Sequence, residues 1–160
     1  MKLAPRALPE LLAGRRIASV TGTNGKTTTT HFLTAAVRAE TPDGQRSVVT
    51  NADGANLHHG IVSALGQAPD ATIAVLETDE RVVADVVAMG SPEVLVLLNF
   101  SRDQLDRNHE LTFLGRDWRA ALEKAAEHGP TVVANACDPL IVWVCQKARH
   151  VIWVYTKPVS

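Results

Sequence analysis

Six short apolar runs recur along the chain, at residues 17–20, 47–50, 72–76, 94–98, 131–134 and 151–155. They are rich in Val, Ile and Leu and mostly lack alternation, the pattern of strands covered on both faces. Between them the apolar positions switch to helical spacing. Leu57, Ile61, Ala64 and Leu65 share one face, as do Val82, Val83, Val86 and Val87. A longer stripe joins Leu111, Leu114, Trp118, Ala121, Leu122 and Ala125 over more than three turns. Asp138 followed by Pro139 reads as an N-cap with proline at the first helical position. Strands alternating with helices predict an α/β fold, a mostly parallel sheet with helices on both faces. Pro42, Asp43 and Gly44 place a loop between the first helix and the second strand.

Composition narrows this picture. At 160 residues and 46 % hydrophobic, the chain supports one domain with a substantial core. With 16 basic and 17 acidic residues it has no broad cationic face, so nucleic acid is not an expected partner. Cys137 and Cys145 match no common zinc spacing and, lying in an apolar stretch, read as ordinary buried thiols of a reducing, cytoplasmic compartment. The charged, proline-containing residues 1–14 are not a signal peptide, and no apolar run reaches membrane-spanning length.

In open parallel sheets, ligands bind beyond the carboxyl ends of the strands. Five of the apolar runs here lead into unusual polar residues: the loop after residue 20, then Asn51, Glu77, Asn99 and Asn135. The loop is Thr21-Gly22-Thr23-Asn24-Gly25-Lys26-Thr27-Thr28. A Gly-rich turn between strand and helix aims backbone N–H groups at phosphate oxygens, and the helix adds the positive end of its dipole. Lys26 is expected on the β/γ-phosphates of ATP, and the Thr27 hydroxyl on Mg²⁺. The first glycine of the usual phosphate-loop spacing would fall at Val20, so this loop is a variant with Gly22 two residues later.

Glu77 is expected to share the cation, since Mg²⁺ prefers oxygen ligands. Asp79 and Glu80 read mainly as caps of the next helix. Asn56, before the helix at residues 57–65, is placed near the phosphates. The cluster from Asn99 to Arg107 reads equally as a functional segment, contacting phosphate through Arg102 or Arg107 or ordering Mg²⁺ waters through Asp103, and as a surface loop with internal salt bridges. Asn135 is expected at the adenine or ribose. His58 and His59 point about 100° apart on a helix, form no joint metal site, and read as exposed. No Ser/His/Asp or Cys/His pair suggests a nucleophilic triad.

Together these motifs resemble the central ATPase domain of the Mur ligase family: the loop from Thr21 to Thr28, Glu77, the Asn99 to Arg107 cluster, and Asn135-Ala136-Cys137-Asp138-Pro139. Two stretches, 51–57 and 98–107, resemble the MurT type within it. That resemblance implies a synthetase subunit that uses ATP and Mg²⁺ to amidate the D-glutamate α-carboxylate of the lipid II stem peptide. The route runs through an acyl phosphate, with ammonia from a GatD-type glutaminase partner, in peptidoglycan synthesis at the membrane surface.

Lys26 and Glu77 would then be the catalytic residues. Gly22, Thr23, Asn24, Gly25, Lys26, Thr27, Thr28, Asn56, Asn99, Arg102 and Asn135 would bind nucleotide. Amino-acid-adding members of the family carry a metal-binding histidine where this chain has Gln104, and a carbamylated lysine further on; Asn108 to Glu123 contains no lysine. An amino-acid-adding Mur or folylpolyglutamate-type ligase, and a non-catalytic nucleotide-binding fragment, are the alternatives. The resemblance also implies that residues 1–160 are an incomplete central domain, with the zinc ribbon and the C-terminal ligase domain missing. On that expectation the chain binds nucleotide with little turnover.

Overall fold

The computed structural model describes residues 6–51, 54–100, 108–125 and 127–155. The elements in order are α1 (Ala7–Leu12), β1 (Arg16–Thr21), α2 (Lys26–Glu40), α3 (Gly44–Ser47), β2 (Val48–Thr50), α4 (His58–Gln67), β3 (Ile73–Glu77), α5 (Val83–Gly90), β4 (Val94–Leu97), α6 (Asn108–Lys124), β5 (Thr131–Asn135), α7 (Pro139–Cys145) and β6 (His150–Val154). All six expected strands form, within a residue or two of the apolar runs. The sheet order is β2-β3-β1-β4-β5-β6, and every neighbouring pair is parallel.

The register sorts the side chains into two faces, because alternate strand residues point to opposite sides. Ile17, Ala74, Leu76, Leu95, Leu97, Val132 and Ala134 share one face. They pack against Leu8 and Leu12 of α1, Ile61 and Leu65 of α4, Val83, Val86 and Val87 of α5, Trp118 and Leu122 of α6, and Ile141 and Val144 of α7. The opposite face carries α2, whose Leu33, Ala36 and Val37 border Ala18, Ile73, Val75 and Val94.

Helices thus lie on both faces, but unequally. The chain moves from β1 to β2 over the α2 face, and from β2 through to β6 over the other. Opposite directions on opposite faces are what a uniform crossover hand requires. The expectation that every strand is covered on both sides fails at β6. Ile152 and Val154 are exposed, because among the described residues the long helix on their side, α2, packs on β1, β2 and β3; Trp153, on the other face with Val151, is exposed as well.

Local chemistry explains the ends of the elements. Asp138 caps α7 as expected, its Oδ1 accepting from the Leu140 and Ile141 amides at 2.9 and 3.2 Å, with Pro139 opening the helix. Asp79 and Glu80 do not cap α5 as expected; Val82 occupies the N-cap and no side chain bonds there. His58 is half-buried rather than exposed, its Nε2 lying 2.8 Å from Asp85 Oδ2. Helices α1 and α3 have no counterpart in the apolar pattern.

Candidate functional site

The loop after β1 lies against the end of β4. The Thr23 amide donates to the Asn99 carbonyl at 2.8 Å, and the Leu98 amide to Thr21 at 3.0 Å. Asn99 completes the seam from its side chain: Oδ1 accepts from the Asn24 amide at 2.9 Å and Nδ2 donates to the Asn24 carbonyl at 3.0 Å. This approach is why residue 22 is glycine. Its φ is +137°, and a Cβ there would sit 2.8 Å from both the Asn99 nitrogen and the Leu98 Cβ.

The Thr23 and Asn24 amides are therefore engaged by Asn99. The amides free for a ligand come next. Helix α2 starts at Lys26 behind Gly25, at φ +86° with no side-chain cap, and its first intrahelical bond runs from Thr29 to Gly25. The Lys26, Thr27 and Thr28 amides precede that bond, so this end combines unpaired donors with the positive end of a 15-residue helix. The Thr27 and Thr28 side chains are exposed there. Lys26 folds back over the loop. Its Nζ donates to the Gly22 carbonyl at 2.6 Å and the Thr23 carbonyl at 3.2 Å, and lies 3.5 Å from Glu80 Oε1.

Glu77 ends β3, in register with Val20 on the neighbouring strand. It is 1 % exposed, and its environment is built around it. Asn51 at the end of β2 clamps its backbone: the Glu77 amide donates to Asn51 Oδ1, and Asn51 Nδ2 donates to the Glu77 carbonyl, each at 2.8 Å. Asn56 Nδ2 donates to Glu77 Oε1 at 2.9 Å, so Asn56 enters the site through this carboxylate. Glu77 Oε2 is buried with no partner. A buried carboxylate oxygen without a donor is costly and calls for a cation.

That cation fits Mg²⁺ better than a metal held by protein alone. Among the described residues no group of three or more His, Cys, Asp and Glu is placed to hold a metal. Mg²⁺ characteristically takes one or two carboxylates plus water and substrate phosphates. Glu77 is the candidate carboxylate and Thr27 the candidate hydroxyl.

The two acids after β3 have separate tasks. The Asp79 carboxylate accepts three hydrogen bonds from Arg81, two from the guanidinium at 2.8 and 3.2 Å and one from the backbone amide at 3.1 Å. Burial opposes its ionisation, but the hydrogen bonds and charge of Arg81, with Lys26 adding, hold its carboxyl below the usual range. Glu80 faces Lys26, and its own carbonyl accepts the Trp118 indole N–H at 2.8 Å. Its ion pair with a lysine on another element has no local sequence signal, so the sequence reading missed it.

Asn135 at the end of β5 borders a cavity of about 480 Å³ together with Asn24, Gly25, Asn99, Cys137 and Tyr155. Its Nδ2 donates to the Leu98 carbonyl at 2.8 Å and its Oδ1 accepts from the Cys137 amide at 2.9 Å, tying β5 to β4 beside the loop. Asp138 Oδ2 accepts the Phe100 amide at 2.7 Å, so one carboxylate caps α7 and holds the start of the 99–107 segment. Arg102, Asp103, Gln104 and Arg107 lie outside the described residues.

The profile of the Mur ligase middle domain matches residues 20–157. The chain is 33 % identical over 127 residues to the lipid II isoglutaminyl synthase (glutamine-hydrolyzing) subunit MurT of Staphylococcus aureus (strain COL), covering 78 % of this chain and 28 % of that subunit. It is 40 % identical over 137 residues to the MurT subunit of Streptococcus pneumoniae (strain ATCC BAA-255 / R6), covering 83 % of this chain and 29 % of that one. The fold superposes on a UDP-N-acetylmuramoyl-L-alanyl-D-glutamate–2,6-diaminopimelate ligase with a TM-score of 0.63 at 22 % identity, over 91 % of this chain and 33 % of that structure. The chain thus spans under a third of the length of these MurT relatives.

Proposed function

The chain belongs to the Mur ligase family, matching its middle domain, and on that premise we propose that it is the nucleotide-binding part of a MurT-type amidating synthetase. Residues 1–160 are read as one central domain. The observation that carries the site is the buried, half-partnered carboxylate of Glu77 at the strand end next to an uncapped phosphate-binding turn.

In this reading Lys26 leaves its carbonyl partners for the β/γ-phosphates, and the amides of Lys26, Thr27 and Thr28 bind phosphate oxygens. Glu77 and the Thr27 hydroxyl hold Mg²⁺, while Asn51 and Asn56 keep Glu77 in place. Asn99 and Asn135 fix the seam between loop and sheet, and the cavity beside them takes the nucleoside. Gly22 allows the close approach, and Thr23 and Asn24 act through their bonds to Asn99. Arg102 is assigned to phosphate by the family resemblance.

When bound, ATP supplies the phosphoryl group that activates a substrate carboxylate, and Mg²⁺ offsets its charge. The substrate is the D-glutamate α-carboxylate of lipid II, and the amine is ammonia from a GatD-type glutaminase. The chain's own contribution is positioning and fixed charge. No described helix is long and apolar enough to cross a membrane.

Two results test this. Cys137, expected to be buried, is exposed after β5 and borders the nucleoside cavity, whereas Cys145 is buried as expected and burial pushes its thiol up to about 12. At neutral pH a thiol reagent should label Cys137 and leave Cys145 unmodified until the protein is denatured, and Mg·ATP should slow the Cys137 labelling. Labelling of Cys137 at the same rate with saturating Mg·ATP would move the nucleoside elsewhere.

The chemistry is tested by exchanging this chain for the matching segment of the Streptococcus pneumoniae subunit and adding a glutaminase. ADP release should require ammonia. Release that instead needs an amino acid would make this a domain of an amino-acid-adding ligase.

A further inference from the structure

We propose that Glu80 makes the loop selective for magnesium-bound over metal-free nucleotide, an inference that rests on the nucleotide-site reading above. The geometry points to it from three sides. Glu80 Oε1 lies 3.5 Å from Lys26 Nζ, and both side chains are largely withdrawn from solvent, at 17 % and 14 % exposure. Glu80 is held there from behind, its carbonyl accepting the Trp118 indole N–H at 2.8 Å. The turn that carries it is pinned too: the Thr78 amide donates to Val20 at 2.9 Å and the Asp79 amide to Asn56 at 3.0 Å. The backbone that carries the carboxylate is therefore fixed beside the loop. Asp79, the other acid of the turn, is engaged with Arg81 and is not the partner of Lys26.

The charge balance of the loop follows. Without nucleotide, Lys26 is neutralised by Glu80 and steadied by the Gly22 and Thr23 carbonyls. Metal-free ATP must draw Lys26 away from Glu80 and settle its phosphates near two carboxylates, buried Glu77 and part-buried Glu80. Like charges in a partly desolvated site repel strongly. A divalent cation arriving with the phosphates offsets both carboxylates, so the same residue that disfavours bare ATP tolerates Mg·ATP. Glu80 acts through Lys26 and through its charge; it is a positioning and selectivity residue, and Glu77 remains the candidate metal ligand.

The test is calorimetric titration of ATP into the protein, once with excess Mg²⁺ and once in EDTA, for wild type, Glu80→Gln and Glu80→Asp. The ratio of the two affinities measures the coupling between cation and nucleotide. Glu80→Gln should bind metal-free ATP about ten-fold more tightly than wild type does, with Mg·ATP affinity changed by less than about three-fold. Glu80→Asp, which keeps the charge, should keep the wild-type ratio. A purely structural role would weaken both titrations in step and leave the ratio unchanged; that result, or no change in either, overturns the inference while leaving the nucleotide site standing. Wild-type protein that binds neither form overturns both.

Discussion

Replacing Lys26 with alanine is expected to lower Mg·ATP affinity by at least about 100-fold, or about 2.7 kcal/mol. Lys26 is the described cation at the mouth of the loop, and its two carbonyl contacts hold its ammonium over the phosphate-binding turn. The variant also leaves part-buried Glu80 without its partner beside the incoming phosphates, which adds to the loss. The loop loses the two carbonyl bonds from Lys26 but keeps its seam to β4, because Thr21, Thr23 and Asn24 are bonded to Leu98 and Asn99 independently. The variant should therefore melt close to wild type while binding fails. Calorimetry with Mg·ATP reads the first effect and thermal unfolding the second. Equal affinity in both proteins would remove the phosphate-loop assignment.

The largest effect on stability is expected at Trp118. It is 1 % exposed and packs on Phe100 with ring centroids 4.5 Å apart, in the core formed by α5, α6, α7, β4 and β5. Trp118→Ala should cost about 3–5 kcal/mol of unfolding free energy, the range for removing a large aromatic side chain from a core. Trp118→Phe separates packing from polarity. It keeps a ring against Phe100 but leaves the Glu80 carbonyl without its donor, at about 1–3 kcal/mol. Because that carbonyl belongs to the turn bearing Glu80, the phenylalanine variant should also narrow the gap between Mg·ATP and metal-free ATP affinities. Denaturant titration gives the stability of each. A Trp118→Ala protein as stable as wild type would show that the α6 core collapses onto the gap, or that the ring is not buried as described.

The strands and the rim were legible because they depend on local pattern. A strand inside a parallel sheet needs uninterrupted apolar residues, and the chain supplies six such runs. The polar residues that follow them stand out against that background, and Asn51, Glu77, Asn99 and Asn135 gather with the Gly-Lys-Thr turn at one edge of the sheet. Helices α1 and α3 were not legible. The first is six residues long in a proline-containing stretch, and the second is four residues that read as a turn.

Partner choice was beyond the sequence as well. Asn56 reads as a phosphate neighbour, and nothing in its sequence context shows that its side chain bonds Glu77. Glu80 reads as a helix cap and instead meets Lys26. Asn51 reads only as one more rim residue and is the clamp on the Glu77 backbone.

The amino-acid order by itself therefore determined the architecture and the chemical inventory. Apolar periodicity selects the element, and a glycine-rich turn before a helix carries its own donors wherever it is placed. Only the tertiary structure decided which polar groups are spent on one another and which are left over. Thr23 and Asn24 lose their amides to Asn99, while Glu77 keeps one buried oxygen with no donor. The physical reason is that hydrogen bonds and ion pairs act over a few ångströms in space, and residues distant in sequence reach that range only after the sheet has set their register.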